Sequence, residues 1–196
     1  MHISMGVQGV TDAASLTMLW SPITPDSNIS FGEVMSARYG VAVAVANDCN
    51  MIAEALRWTD PENYAEDFAA ILLSHGIGMG LYLKGKPFVG AYSSASEFGH
   101  MLHVPNGALC RCGRHGCIES YASDYAILRN IEGEDENALP AQDVDIAAFK
   151  KVADTARANG GKERAAFSKA GQAIGSGLRS LFSLIDPVPV ALVGPG

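Results

Sequence analysis

The segment from Glu97 to Ser123 reads EFGHMLHVPNGALCRCGRHGCIESYAS and holds three of the chain's four cysteines. His100 stands ten residues before Cys110, Cys112 follows as Cys-x-Cys, and Cys117 closes the set. One imidazole and three thiolates make a complete tetrahedral shell for a zinc ion. Bringing four donors to one point folds the loop 100–117 around the metal, so this cluster constrains the chain more than any other feature. Gly107, Gly113 and Gly116 let the backbone bend where a Cβ would be strained. No position is left open for water, which makes the site structural rather than catalytic. His103 and His115 are the alternatives to His100. His115 sits inside the Cys112–Cys117 turn and would strain it, and His103 lacks a companion carboxylate at a useful offset. Disulfides fit poorly: a Cys-x-Cys pair is too cramped, three is an odd number, and Cys49 lies far upstream, where it reads as a small core residue. Glu97 and Glu119 flank the ligands without belonging to them, and hard carboxylates beside a set filled by softer donors are free to bond something else.

The 196 residues carry a net charge of -7 and are 48% hydrophobic. That length supports one sizeable core or two small lobes. The negative balance argues against a nucleic-acid-binding surface on this segment, since phosphate contacts need clustered Lys and Arg. No run of about twenty apolar residues is present, and MHISMGVQGV lacks the basic start and apolar core of an export signal. No membrane partner is expected, and a cytoplasmic location suits the free thiols.

Apolar runs alternate with helical patterns in the α/β manner. HISMGVQGV predicts a strand ending in a turn at Gly9. Residues 31–39, FGEVMSARY, have helical spacing and stop at a capping Gly40. A β-branched strand over 41–45, a turn at Asn47 and Asp48, and a helix over 50–58 follow. A polar pair at such a strand end is where α/β folds place ligand contacts. FAAILLS, 68–74, predicts a second buried strand, and HGIGMGLYLKGKPFVG a glycine-spaced strand with a hairpin turn near Lys84-Gly85. After the metal loop come a helix near 117–130, an acidic connector, helices over 145–158 and 162–185, and a last strand VPVALVG.

Glu-x-Gly-His followed by CxCGxxGCxE resembles the signature of the ROK family, whose members are sugar-responsive repressors, uncharacterised frames and sugar kinases. Asn47-Asp48-Cys49-Asn50 resembles the family's NDxN strand end, Gly76-Ile77-Gly78-Met79-Gly80 its glycine-rich phosphate loop, and Ile185-Asp186-Pro187 through Leu192-Val193-Gly194 its helix end and following strand. The resemblance implies an actin-like (ribonuclease H-like) sugar kinase fold of class α/β, with two lobes and the sugar in the cleft between them. Residues 1–74 would be the remainder of an incomplete N-terminal lobe, and 75–196 a C-terminal lobe carrying the zinc loop 100–117 and truncated at its end. The DxGxT phosphate turn, the adenosine-contacting segment and any winged helix-turn-helix would lie outside these residues. DNA would therefore be a partner only through a domain absent from this chain. Unpaired sheet edges invite association, so a homo-oligomer, such as a dimer, is expected.

The same resemblance implies roles. Asp48 would be the general base of a kinase, taking the proton of a sugar hydroxyl as it attacks ATP, with magnesium present. Asn47 would bond a neighbouring hydroxyl, Glu97 and Glu119 would accept from ring hydroxyls, and His100 would bind zinc through one ring nitrogen while the other faces sugar or a carboxylate. Each has a plainer reading: Asp48 as a helix N-cap, a single glutamate as surface charge, and Gly76, Gly78 and Gly80 as packing glycines. Kinases of the family usually carry a threonine in this loop, and here Ile77 stands in its place. That points to the repressor branch, a sugar-binding effector domain of a transcriptional regulator, with an ATP-dependent hexose or N-acetylhexosamine kinase as the alternative. A zinc module serving only subunit contacts is a third class.

Overall fold

In the computed structural model, which describes residues 1–93, 96–141 and 143–194, the chain divides into two units. One comprises Met1–Ala70 and Met79–Ser96, the other Ile71–Gly78 and Glu97–Gly196. Neither unit is one continuous stretch.

The first unit opens on β1 (His2–Val7), which pairs in parallel with β4 (Ala42–Asn47), from His2 opposite Ala42 to Val7 opposite Asn47. Between them lie an antiparallel pair, β2 (Val10–Thr11) and β3 (Met18–Trp20), and helix α1 (Phe31–Tyr39). The short pair is not legible in TDAASLTMLW because its turn is closed by a side chain: Asp12 Oδ1 accepts from the N–H groups of Leu16 and Thr17, each at 2.8 Å. Helix α1 ends at Gly40 in the left-handed conformation, φ 66°, as the sequence predicts.

Helix α2 (Asp48–Thr59) begins two residues earlier than its periodicity suggests. Asn47 is its N-cap, its side-chain oxygen accepting from Cys49 N at 2.9 Å and Asn50 N at 3.2 Å, which satisfies two of the orphan donors of the first turn. The one-turn helix α3 (Pro61–Tyr64) follows, with proline at its start. The buried faces of α2 and of strands β5 (Phe68–Leu73) and β6 (Ile77–Leu83) meet in a cluster of Ala53, Phe68, Ala70 and Tyr82, covered by Ile52, Leu56 and Tyr64. The Phe68 and Tyr82 rings stack at 5.0 Å between centroids. Strand β6 turns at Lys84 and Gly85, both at positive φ, into β7 (Lys86–Pro87), the hairpin expected from the sequence.

Strands β5 and β6 pass from one unit into the other and belong to a four-stranded sheet ordered β7-β6-β5-β8, with β8 spanning Val190–Val193. The second unit is otherwise helical: α4 (Glu119–Ala122), α5 (Asp124–Glu132), α6 (Ile146–Ala158) and α7 (Lys162–Ile185). The single helix expected near 117–130 is thus two. At Ser123 the backbone is extended, and the N–H of Asp124 donates to Ser74 O at 3.1 Å. Ser120 O, four residues back and the acceptor of a continuous helix, instead receives Arg129 Nη2 at 2.7 Å. These tertiary partners take the place of the Asp124 N to Ser120 O bond of a continuous helix. Among the described residues no helix is long and apolar enough to cross a membrane.

A candidate metal centre and its carboxylates

The metal loop is built from close backbone approaches. Gly116 has φ 82°, and a Cβ there would lie 1.7 Å from Val104 O; His103 and Val104 both donate to its carbonyl. Gly113 also needs positive φ, at 81°. Gly107 is required for another reason: the Tyr121 hydroxyl occupies the place of its Cβ and accepts from Ala108 N at 2.8 Å.

This folding brings together His100, Cys110, Cys112 and Cys117, whose donor atoms all lie within 4.8 Å of one another and could hold a metal ion. His100 Nδ1 is 3.7 Å from Cys110 Sγ, and Cys112 Sγ is 3.7 Å from Cys117 Sγ. Ligands about 2.3 Å from a tetrahedral centre stand about 3.8 Å apart, so the donors fit such an ion. Cys110, Cys112 and Cys117 are free thiols, and Cys49, which is not one of the set, is buried in the first unit. His103 and His115 are engaged elsewhere, with Ser176 Oγ at 2.7 Å and Gly107 O at 2.9 Å.

Burial pushes the Cys110 thiol well above its ordinary range, with the Glu119 carboxylate adding to the effect, and burial likewise raises Cys117. Cys112 is also partly desolvated, but donation from Arg114 Nε at 3.4 Å and from backbone lowers it. A dication at the centre would supply the charge that the buried pair lacks as thiolates.

The two glutamates differ sharply. Glu119, in the first turn of α4, is 6% exposed; one oxygen accepts from Ile77 N at 3.1 Å, and the other faces Cys110 Sγ at 3.5 Å. Glu97 is 57% exposed, with one oxygen 3.7 Å from His100 Nε2, the ring nitrogen turned away from Cys110. The charge pattern that paired them in the sequence does not distinguish them, because only the strand β6 N–H makes the Glu119 site.

Gly76 and Gly80 are likewise unlike. A Cβ on Gly76 would stand 3.1 Å from a Glu119 oxygen, whereas one on Gly80 would meet Cys49 O at 2.3 Å and Ala53 Cβ at 2.7 Å. Gly80 therefore admits α2 against β6 within the first unit, and Gly76 borders the carboxylate in the second. Gly78 lies in β6 between them. Ile77 is 5% exposed, a core residue of the strand, so its side chain is not presented to a ligand. The projecting side chain of the turn is His75, whose Nδ1 is 3.4 Å from Asp124 Oδ2. Nothing in the sequence singled out Asp124, since its partner lies in a distant turn.

In the first unit, Asn47 caps α2 and donates through Nδ2 to Gly9 O at 2.9 Å. With that cap in place Asp48 is not the N-cap; one of its oxygens accepts from Cys49 N at 2.9 Å.

The profile of the ROK family matches residues 1–195. The chain is 25% identical over 195 residues to the xylose repressor of Caldicellulosiruptor bescii, covering 97% of this chain and 49% of the repressor. A ROK family glucokinase from Streptomyces griseus, solved with glucose and AMPPNP, superposes with a TM-score of 0.78 at 27% identity, over 96% of this chain and 64% of that one. A ROK family transcriptional regulator, a homologue of the E. coli MLC protein, superposes with a TM-score of 0.82 at 23% identity, over 98% of this chain and 49% of that one. The chain thus spans about half to two thirds of the length of these relatives. The fold is the actin-like α/β architecture shared by ROK kinases and repressors, as the resemblance implied.

Proposed function

The chain belongs to the ROK family, and from that premise we propose that it is the sugar-binding effector portion of a longer, cytoplasmic transcriptional regulator, stabilised by zinc at His100, Cys110, Cys112 and Cys117. Contact with DNA would be made by a domain outside these residues. Sugar contacts are assigned to Glu97, His100 and Glu119 in the second unit and to Asn47 and Asp48 in the first.

Glu119 carries the reading. It is a buried carboxylate with one N–H donor on one oxygen, so lone pairs remain for the hydroxyl donors of a sugar. Sensing is proposed over phosphoryl transfer because Ile77 stands where kinases of the family usually carry a threonine, so that position of the turn offers no hydroxyl to a phosphate. Sugar binding would then act as a shift of population between states that the DNA-binding part reads.

The kinase reading is favoured by one observation. Because Asn47 caps α2, the Asp48 carboxylate is relieved of that duty and retains an oxygen with which it could accept a proton from a sugar hydroxyl. ATP and magnesium would be required.

Calorimetry of the full-length protein against hexoses, pentoses and N-acetylhexosamines tests the proposal. At least one sugar should bind, and Glu119→Gln should weaken it about tenfold or more, the cost of a buried charged hydrogen bond. Equal heats from both proteins would remove the assignment. ADP release dependent on that sugar and abolished by Asp48→Asn would establish the kinase, whereas tight binding without turnover would support the regulator.

A further inference from the structure

The glycine turn at 74–77 leads into the core residue Ile77 and has one internal backbone bond, Ser74 N to Gly76 O at 3.1 Å. Its further hydrogen-bond partners come from a single stretch of the second unit, residues 111–124. Asp124 N donates to Ser74 O at 3.1 Å, Arg111 Nη1 donates to His75 O at 2.9 Å, and Glu119 accepts from Ile77 N at 3.1 Å.

Arg111 is distinguished among these by its place in the chain, between the candidate ligands Cys110 and Cys112. Its guanidinium lies 4.4 Å over the Tyr125 ring, and its other nitrogens donate to Ala141 O. The fork is thus held on a buried aromatic face while one arm reaches the turn. An ion shared by the thiolates on either side of Arg111 would constrain its backbone beyond the bonds from Cys110 N to Arg114 O and from Gly113 N to Cys110 O, each at 2.9 Å. Without the ion that constraint is absent, and the loop that aims the guanidinium is held by its own hydrogen bonds alone.

We propose that Arg111 is a positioning residue that couples metal occupancy to the glycine turn: loading the centre orders residues 74–77 through the Arg111 to His75 carbonyl bond. The coupling does not depend on whether the longer protein senses or phosphorylates sugar, but it rests on metal binding at the four donors, which is read out separately below.

Hydrogen exchange of the peptide covering 71–80, in the full chain loaded with Zn²⁺ and after chelation, tests it. Chelating the wild type should raise exchange in this peptide several-fold. Arg111→Gln, with the metal still bound, should raise it to a similar degree, and chelation should then add little. Co²⁺ substitution reports the centre itself through its thiolate absorption, which Arg111→Gln should leave in place. An Arg111→Gln protein that holds Co²⁺ yet exchanges like the wild type would overturn the coupling, as would a wild type whose 71–80 peptide ignores chelation or one that binds no Co²⁺. If Arg111→Gln does not fold or does not hold Co²⁺, Arg111→Lys decides: a single ammonium cannot lie on Tyr125 and serve both carbonyls, so exchange should lie above the wild type, and equality would refute the proposal.

Discussion

At Gly80 there is no room for a side chain, because a Cβ would lie 2.3 Å from a backbone carbonyl oxygen of α2 that cannot move without the helix. Gly80→Ala should therefore destabilise the protein by about 1–3 kcal/mol, the usual cost of overpacking, measurable by urea unfolding. The sequence treated Gly76, Gly78 and Gly80 as one set, and packing separates them. Asp124 supports a second prediction. It is 6% exposed, and burial raises its carboxyl above the ordinary range, with His75 and Arg111 opposing the shift without cancelling it. A folded-state value above the unfolded one means that the native state binds more protons between the two. Stability from this group is then present below the unfolded value, near pH 4, and is lost as pH rises through the folded value. Asp124→Asn should remove that slope. Comparing denaturation midpoints of both proteins from about pH 3.5 to 7 checks it: the advantage of wild type over variant should shrink as pH rises, and a constant difference would contradict it.

Helix α7 shows how one element assigns different duties to identical residues. Gly171 and Gly175 lie on its exposed face with nothing near their missing side chains, while Gly177 is buried where a Cβ would meet Ile118 Cδ1 at 2.4 Å and Phe98 Cζ at 2.6 Å. The exposed pair costs helix propensity for no packing return. Gly171→Ala should stabilise by roughly 0.5–1 kcal/mol, whereas Gly177→Val should destabilise by about 1–3 kcal/mol as the branched side chain displaces Phe98 and Ile118. Thermal melts of the two variants should move in opposite directions. Helical periodicity predicts α7 at its observed length because buried Ala166, Ala170, Ala173, Gly177 and Leu181 recur at three- and four-residue intervals. The same periodicity runs straight through Ser123, where the helix breaks, since a pattern of apolar residues does not register that Ser74 O competes for the Asp124 N–H.

Across the whole molecule, all four candidate ligands belong to the second unit, so the metal should stabilise that unit first. If metal is held at about a hundred times its dissociation constant, its removal should cost about 2.7 kcal/mol of apparent stability. Hydrogen exchange after chelation should rise over the loop 100–117 and α4, while β4 and α2 in the first unit keep their protection. Uniform loss across both units would refute a unit-specific role. What the sequence determined by itself was everything that depends on neighbours along the chain. The four candidate metal donors, the Gly40 helix stop, the Lys84-Gly85 hairpin and the long helices all follow from spacing, glycine conformation and periodicity. Tertiary structure alone decided that Glu119 is buried and Glu97 exposed, that Gly80 packs while Gly76 borders a carboxylate, that Asn47 rather than Asp48 caps α2, and that Ser123 ends a helix. Most of these outcomes turn on a group far along the chain, as when Glu119 meets an N–H 42 residues away. Such a bond forms only after the backbone has already brought its two ends together, so no local pattern can encode it.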